Sequence, residues 1–530
     1  MVPLALLWAL GHRPKLRGLG WALLGLGAAG CIFHTVQVKP IGSTADSLDI
    51  ETPVKAHLRE GSTVLYRDGV RLARDTLRGP GMRYGLTLRD STAVSLEPLD
   101  SVVAMESFQT GVEGGSTVAA SVLATGVVLA AALGLAWVIF GITCGSCQAS
   151  PTVYADSAGT WALQGEGFSY TLGAAFERRD VTRLAIQPDR DGRIRLEVRN
   201  AAPETEYFNQ LELLEARHSA DETVLPDQDG APLAVRDLVP AATIADATGR
   251  DLRPLLVAGD DAPFRTDART LARASPAHWD DAITLVAPAP AAGDSMALVL
   301  RLRNSLLASL LYSEVVLGER GARSLDWLAR GLDGEAPAIR RWQEHRMGMR
   351  IAVWDGRRYR PTAHLRDCGP HAWKDLAVLI PVLQRDSVRV RLSFPADNWR
   401  IARAGFATGA RRPVVRALPF NRLLDAAGRD DSAALATVRL ADRRYLRVST
   451  GERFSVVAAV GPAAAEPGRT FLIAIQGYYD PWIRRDGFSA SPDRQPGESL
   501  DAQLLKAIRK WGTVREARER AFATERSPEP

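Results

Sequence analysis

The segment Arg389-Val390-Arg391-Leu392 alternates a charged with an aliphatic side chain, and Arg193-Ile194-Arg195-Leu196-Glu197-Val198 keeps the same alternation over six positions. In an extended chain successive side chains point to opposite faces, so each segment has one wet face and one core face. A helix would scatter the same residues around its circumference. The pattern commits the region after Thr152 to β-structure, and short strands punctuated by Gly, Asp and Pro turns continue along it.

Two stretches of this region present the same four landmarks in the same order. The first has Val153-Tyr154-Ala155-Asp156 with Trp161, then Arg193 to Val198, then Asp246 to Asp251, then Met296 to Leu302. The second has Ala352-Val353-Trp354-Asp355 with Tyr359, then Ser387 to Leu392, then Asp425 to Asp430, then Thr470 to Ile475. A shared order of landmarks is the mark of duplication. It predicts a mainly β chain with two tandem β-sandwich-like modules over 150–302 and 350–480. Between them, 303–349 reads as a helical insert, because Leu307, Leu310, Leu311, Leu325, Leu328, Ile339 and Trp342 recur at helical spacing. A C-terminal helix is expected over 499–522, with Leu504, Leu505, Ile508 and Trp511 on its apolar side.

The N-terminal part carries membrane signals. Residues 117–142 contain no charge, and about 20 apolar residues suffice to cross a bilayer, so a transmembrane helix is expected there. Gly126, Ala130 and Gly134 lie four apart on one face of that helix, a spacing that lets helices approach closely in lipid. Residues 1–31 combine a basic cluster around Arg13, Lys15 and Arg17 with the apolar run Gly18 to Gly30, the pattern of an export signal. Cys31 directly after Ala29-Gly30 resembles the lipobox of bacterial lipoproteins, which implies that its thiol is diacylglycerylated. An uncleaved anchor helix is the alternative.

Between these membrane signals, residues 50–108 read as a small five-stranded β-barrel. Its opening Val54-Lys55-Ala56-His57-Leu58-Arg59-Glu60-Gly61 and its ending Pro98-Leu99-Asp100-Ser101-Val102-Val103 resemble Sm-like or SH3-like barrels. Cys147, Pro151, Tyr154, Trp161, Gly165 to Phe168, Glu177 to Asp180 and Glu204 to Tyr207 together resemble an uncharacterised family of bacterial envelope lipoproteins. That resemblance implies an architecture, a small barrel and a membrane helix followed by a β-rich domain, and no activity.

Charge excludes one class of partner. The net charge is +5, but the arginines interleave with acids, as in Arg429-Asp430-Asp431, and form no basic stripe, so no nucleic acid is expected. No nucleophile elbow, zinc-protease helix, phosphate loop or dinucleotide fingerprint occurs, and no cofactor is expected.

Some residues still invite a chemical reading. Cys144 and Cys147 have the spacing of a redox or disulfide pair. His364, Cys368 and His371, with Asp367 beside them, offer three potential zinc ligands, one fewer than a structural site wants. The turns Pro188 to Gly192 and Pro226 to Gly230 bear carboxylates but read as hairpin turns before they read as calcium loops. Glu204 and Glu206, alternating in a strand, share a face as an acid pair would. Trp161, Trp279, Trp354, Trp399 and Trp482 are expected in cores before they are expected as sugar platforms.

The expected function is that of a non-catalytic lipoprotein of the bacterial cell envelope that binds or assembles a protein or a surface polymer. An envelope hydrolase using carboxylates or a metal, and a transmembrane sensor, are the alternatives.

Overall fold

A computed structural model describes residues 47–51, 54–58, 62–73, 75–84, 91–107, 151–157, 160–200, 202, 204–257, 263–291, 295–312, 315, 336–449, 452–461, 468–481 and 498–526. Cys31, the 117–142 segment with Gly126, Ala130 and Gly134, and the pair Cys144 and Cys147 all lie outside these residues. Among the described residues no helix is long and apolar enough to cross a membrane.

The N-terminal sheet contains β1 (Ser47–Ile50), β2 (Val54–Leu58), β3 (Thr63–Tyr66), β4 (Val70–Ala73), β5 (Thr76–Tyr84), β6 (Ser91–Pro98) and β7 (Val102–Ser107). Its order is β1-β4-β5-β3-β2-β7, with β6 on β5. Both ends are open, so the five-stranded barrel expected from sequence is corrected to an open seven-stranded sheet. The Gly79-Pro80-Gly81 segment lies inside β5, where the pairing with β6 shifts register between Arg78 and Gly81. A Cβ at Gly81 would sit 2.8 Å from the Tyr66 ring, so only glycine lets the strand pass. Val64 and Tyr66 bury on the sheet's own core, while Leu65 between them joins the core of the large region.

The large region opens with β8 (Thr152–Ser157), β9 (Thr160–Glu166), β10 (Arg178–Arg183), β11 (Arg193–Arg199) and β12 (Glu204–Arg217), followed by the hairpin β13 (Thr223–Pro226) and β14 (Pro232–Val235). Next come β15 (Leu238–Val239), β16 (Thr243–Asp246), β17 (Asp280–Pro288), β18 (Met296–Asn304), β19 (Met349–Trp354), β20 (Tyr359–Leu365), β21 (Lys374–Ile380), β22 (Ser387–Pro395) and β23 (Trp399–Thr408). The chain returns with β24 (Val414–Leu418), β25 (Arg422–Leu424), β26 (Leu446–Val448), β27 (Arg453–Ala459) and β28 (Arg469–Pro481). Helices α1 (Arg253–Leu256), α2 (Ala268–Ala272), α3 (Leu307–Leu310), α4 (Ala336–Trp342), α5 (Ser432–Thr437) and α6 (Leu500–Arg526) complete it. Of the expected helical insert, 303–349, the described helical parts are α3 and α4 with the wide π-helical turn Gln343–Met347 after α4.

Two sandwiches form, and the pairings correct the tandem reading: one is inserted in the other. The enclosing sandwich has an outer sheet β25-β27-β11-β8-β9 and an inner sheet β10-β28-β12-β24, with β26 on β12. Both sheets mix strands from before and after the insertion, and β12 pairs with β28 from Glu204↔Pro481 to Arg217↔Arg469. Their facing sides share one core, in which Ile194, Leu196 and Val198 meet Leu211, Leu213, Ile473 and Ile475. The inserted sandwich has an inner sheet β15-β23-β18-β21 and an outer sheet β16-β17-β22-β19-β20, and Leu298, Leu300 and Phe406 meet Ile283, Val390 and Leu392 between them.

The hairpin β13–β14 joins the two, because both of its faces are apolar. Val224 and Ala234 pack on Leu214, Ala216 and Leu472 of the enclosing inner sheet, while Leu225, Leu233 and Val235 pack on Ala297, Val299 and Ala377 of the inserted one. A strand whose side chains alternate between two cores reads as a continuous apolar run. The layers therefore run outer sheet, inner sheet, hairpin, inner sheet, outer sheet. Helix α6 lies against the enclosing core through Leu504, Leu505, Ile508 and Trp511.

Candidate functional site

Where the sandwiches meet the helical segment, polar groups converge on a cavity of about 100 Å³ lined by Tyr170, Arg178, Tyr312, Arg340, Gln343 and Asp367 among others. A second cavity of about 40 Å³ shares Arg366 and Asp367 and adds Asp180, Cys368 and Lys374.

The loop after β9 shapes the first wall. Phe168 (φ 26°) and Tyr170 (φ 62°) both adopt positive φ, which bulky residues rarely tolerate. Such positions persist only when their surroundings overdetermine them, at about 1–3 kcal/mol each. Here Phe168 is wholly buried edge-to-face on Phe208 at 5.2 Å, and Arg178 Nη2 donates to Ser169 O at 3.0 Å. The loop thereby turns Tyr170 toward Tyr312, ring centroids 5.7 Å apart.

Asp367 comes from the inserted sandwich. Its Oδ1 accepts from Asn304 Nδ2 and Asn398 Nδ2, both at 2.9 Å. Asn304 in turn accepts from the backbone N–H groups of Cys368 (2.6 Å) and Gly369 (3.0 Å), fixing the loop. Burial pushes Asp367 up to about 7, against the opposing pull of those two amides and of Arg178. Arg178 is occupied by Asp180, which its Nη2 meets at 2.8 Å; burial opposes ionisation of Asp180, but Arg178 and Lys374 hold it below the usual carboxylate range. Glu166 ties the sandwiches together by accepting from the N–H groups of His371 (2.8 Å) and Ala372 (3.0 Å).

The expected zinc ligands do not converge, which corrects that reading. Cys368 faces the smaller cavity, and burial pushes its thiol up to about 12, away from the thiolate a metal needs. The His371 ring lies 4.9 Å from the Phe522 ring of α6. His364 sits in β20 beside Gly348, where burial and the cations Arg350 and His345 push it down to about 4. Among the described residues no group of three or more His, Cys, Asp or Glu is placed to hold a metal ion.

Other carboxylates are occupied by their own turns. Asp189 Oδ1 accepts from the N–H groups of Asp191 and Arg193, and Asp227 Oδ1 from those of Asp229 and Ala231, with Gly192 and Gly230 at positive φ. These are hairpin turns. Glu204 and Glu206 do share a face, and it points inward. Both are buried, and burial first and a neighbouring acid second (Asp480 for Glu204, Glu204 for Glu206) raise both well above the usual carboxylate range. Burial therefore favours the protonated form of both.

Sequence reasoning placed Asp367 only as a companion to the zinc candidates and missed Tyr170, Arg178 and Tyr312. No spacing along the chain joins these residues to Asp367: Tyr170 and Arg178 come from one stretch, Tyr312 from a second and Asp367 from a third. The tryptophans divide. Trp399 and Trp279 are buried as expected, whereas Trp161 and Trp354 are half-exposed and lie outside the cores; Trp482 is outside the described residues.

No family model matches the chain, and no curated protein matches it. Among solved structures, the GH31 alpha-xylosidase of Xanthomonas citri aligns over 85% of this chain and 35% of its own at 9% identity and a TM-score of 0.15. A structure of infectious bursal disease virus, Gt strain, aligns over 91% of this chain and 94% of its own at 10% identity and a TM-score of 0.16. The chain spans about a third of the xylosidase. Likenesses this slight carry no argument about fold or function.

Proposed function

We propose that the chain is a non-catalytic, membrane-anchored module of the bacterial cell envelope that binds or assembles another protein or a surface polymer. The observation that supports this reading is how the junction acids are used. Asp367 is held by two asparagines of its own sandwich, Asp180 by Arg178 of its own strand, and Glu166 by two backbone amides across the sandwich boundary, so these acids are taken up in structural contacts. The cavity they surround, about 100 Å³, is far smaller than the 300–1,000 Å³ or so of ordinary ligand clefts. The anchoring half of the proposal rests on Cys31 and the uncharged run 117–142.

The test uses the full chain expressed in a bacterial host. Membrane association should weaken with Cys31→Ser and be lost when 117–142 is also removed, and the purified protein should retain envelope material without cleaving it. Release into the soluble fraction of an unmodified chain would sink the anchored reading.

One observation favours a second reading, an envelope hydrolase. Asp367 titrates near neutrality beside Tyr170 and Arg178, the setting of a general acid or base. Hydrolysis of an envelope polymer that disappears in Asp367→Asn, with folding intact, would replace the first reading with this one.

A further inference from the structure

The two outermost sheets carry the same arrangement at equivalent places. In each, the third strand of the order presents arginines outward and pairs with a two-stranded hairpin at the sheet edge, β11 with β8–β9 and β22 with β19–β20. In the enclosing sandwich, Leu196 pairs with Ala155 and Asp156 with Trp161, which places Arg195 and Trp161 in one row, and the Arg195 guanidinium lies 5.3 Å from the Trp161 ring. Arg199 lies 4.1 Å over Tyr154 on the same face. In the inserted sandwich, Val353 pairs with Val390, so Trp354 continues toward Arg389. Trp354 packs on Tyr359 at 5.1 Å, and Arg391 lies 4.5 Å over Tyr359.

Many surface arginines are matched to acids, as Arg411 is to Glu222, Arg412 to Asp227 and Arg422 to Asp430, while others, such as Arg416 and Arg439, make no ion pair with the described residues; what marks the two outer faces is unpaired arginine beside an outward indole. Arg195, Arg389 and Arg391 are exposed and make no ion pair with the described residues. The acids nearby are spoken for. Glu197 pairs with Arg199, Asp280 with Arg350 and Asp355 with Arg360, and Asp156 stands in the Arg195 row. The second outer face is thus the more cationic.

We propose that these two faces bind an acidic polysaccharide, with sugar rings against Trp161 and Trp354 and their carboxylates or phosphates on Arg195, Arg389 and Arg391. An indole offers flat apolar area, and a guanidinium offers a planar fork matched to a carboxylate or phosphate. Single-stranded nucleic acid fits less well, since the closest-lying guanidiniums cover Tyr154 and Tyr359, leaving one indole per face rather than a run of rings for successive bases. Because the faces are the outermost layers of the stack, they look away from each other, and one chain links two polymer strands. This inference rests on the binding-module reading and names its partner.

The test is titration of the full chain, in detergent, with polygalacturonate, neutral dextran and oligo(dT). Polygalacturonate should bind tightest, weaken as salt rises, and lose at least tenfold in affinity in Trp354→Ala and in Arg389→Glu/Arg391→Glu, with the melting midpoint unchanged. Wild-type protein should make the polymer solution turbid, and the Arg389→Glu/Arg391→Glu variant should bind through the other face without turbidity. Equal binding of dextran, tighter binding of oligo(dT), or unchanged affinity in both variants would each overturn the proposal. Retention of an envelope protein by every variant, with no polymer bound, would overturn it and leave the binding-module reading standing. Release of reducing ends from polygalacturonate by all variants would overturn both.

Discussion

The indole Nε1 of Trp511 donates to Asp397 Oδ2 at 2.7 Å, joining residues 114 positions apart, both fully buried. Asp397 also accepts from Thr266 N at 3.0 Å and from Arg400 and Arg515. A carboxylate with this many fixed donors is the anchor of α6 on the inserted sandwich. Removing it takes the more buried of two carboxylate partners from Arg400, which keeps Glu519, and from Arg515, which keeps Glu516, so Asp397→Ala should cost about 3–5 kcal/mol. Trp511→Phe keeps most of the apolar contact and loses one charge-assisted bond, so it should cost about 1.5–3 kcal/mol. Urea denaturation of both variants at neutral pH checks the order; a smaller loss for Asp397→Ala would show that the ion network is dispensable.

Asp367 gives stability a pH dependence of definite sign. Its pKa stands near 7 in the folded protein and at 3.8 as the ordinary value. Between those values the folded protein keeps a proton that the unfolded chain has released, so this contribution is whole below about pH 4 and is lost as pH rises through 7. Asp367→Asn can still accept from Asn304 and Asn398 but no longer titrates. Relative to wild type it should gain stability on going from pH 5 to pH 8, read from melting midpoints at both values.

Leu233 is fully buried between the hairpin and the inserted inner sheet. Leu233→Ala should cost about 2–5 kcal/mol through lost contact and the cavity left behind. Because the hairpin is the layer between two sandwiches, the variant should also split a single calorimetric transition into two. A single transition shifted as a whole would mean that the sandwiches are coupled chiefly elsewhere, through Glu166 and α6.

Two glycines at positive φ make a contrast. At Gly369 (φ +94°) a Cβ would land 2.2 Å from the Glu166 carboxylate, whereas at Gly428 (φ +77°) it would meet nothing within 4 Å. Gly428→Ala should cost only the left-handed backbone, about 1–2 kcal/mol. Gly369→Ala should cost clearly more, because it also displaces the carboxylate that holds the His371 and Ala372 amides. Denaturation midpoints of the two variants check the difference.

What the sequence determined by itself was local. The alternation in Arg389 to Leu392 and Arg193 to Val198 dictated strands with one face in and one out, because side-chain direction along an extended chain depends on nothing but parity. The Asp-x-x-Gly turns closing at Gly249 and Gly428 were equally legible, since Asp246 and Asp425 each bind their own backbone two and four residues on. The four landmarks recurred in order, and two similar sandwiches exist.

Which strands pair was decided only by the tertiary structure. The landmarks Asp246 to Asp251 and Met296 to Leu302 fall in the inserted sandwich, and Asp425 to Asp430 and Thr470 to Ile475 in the enclosing one, the reverse of a tandem division. Every such segment has the same apolar face, so either partner satisfies the local pattern, and the choice is made by packing between residues hundreds of positions apart. The same reason governs the sites. Asp367 comes to line one cavity with Arg178, and Trp161 and Trp354 stay on outer faces, through packing that no spacing along the chain records.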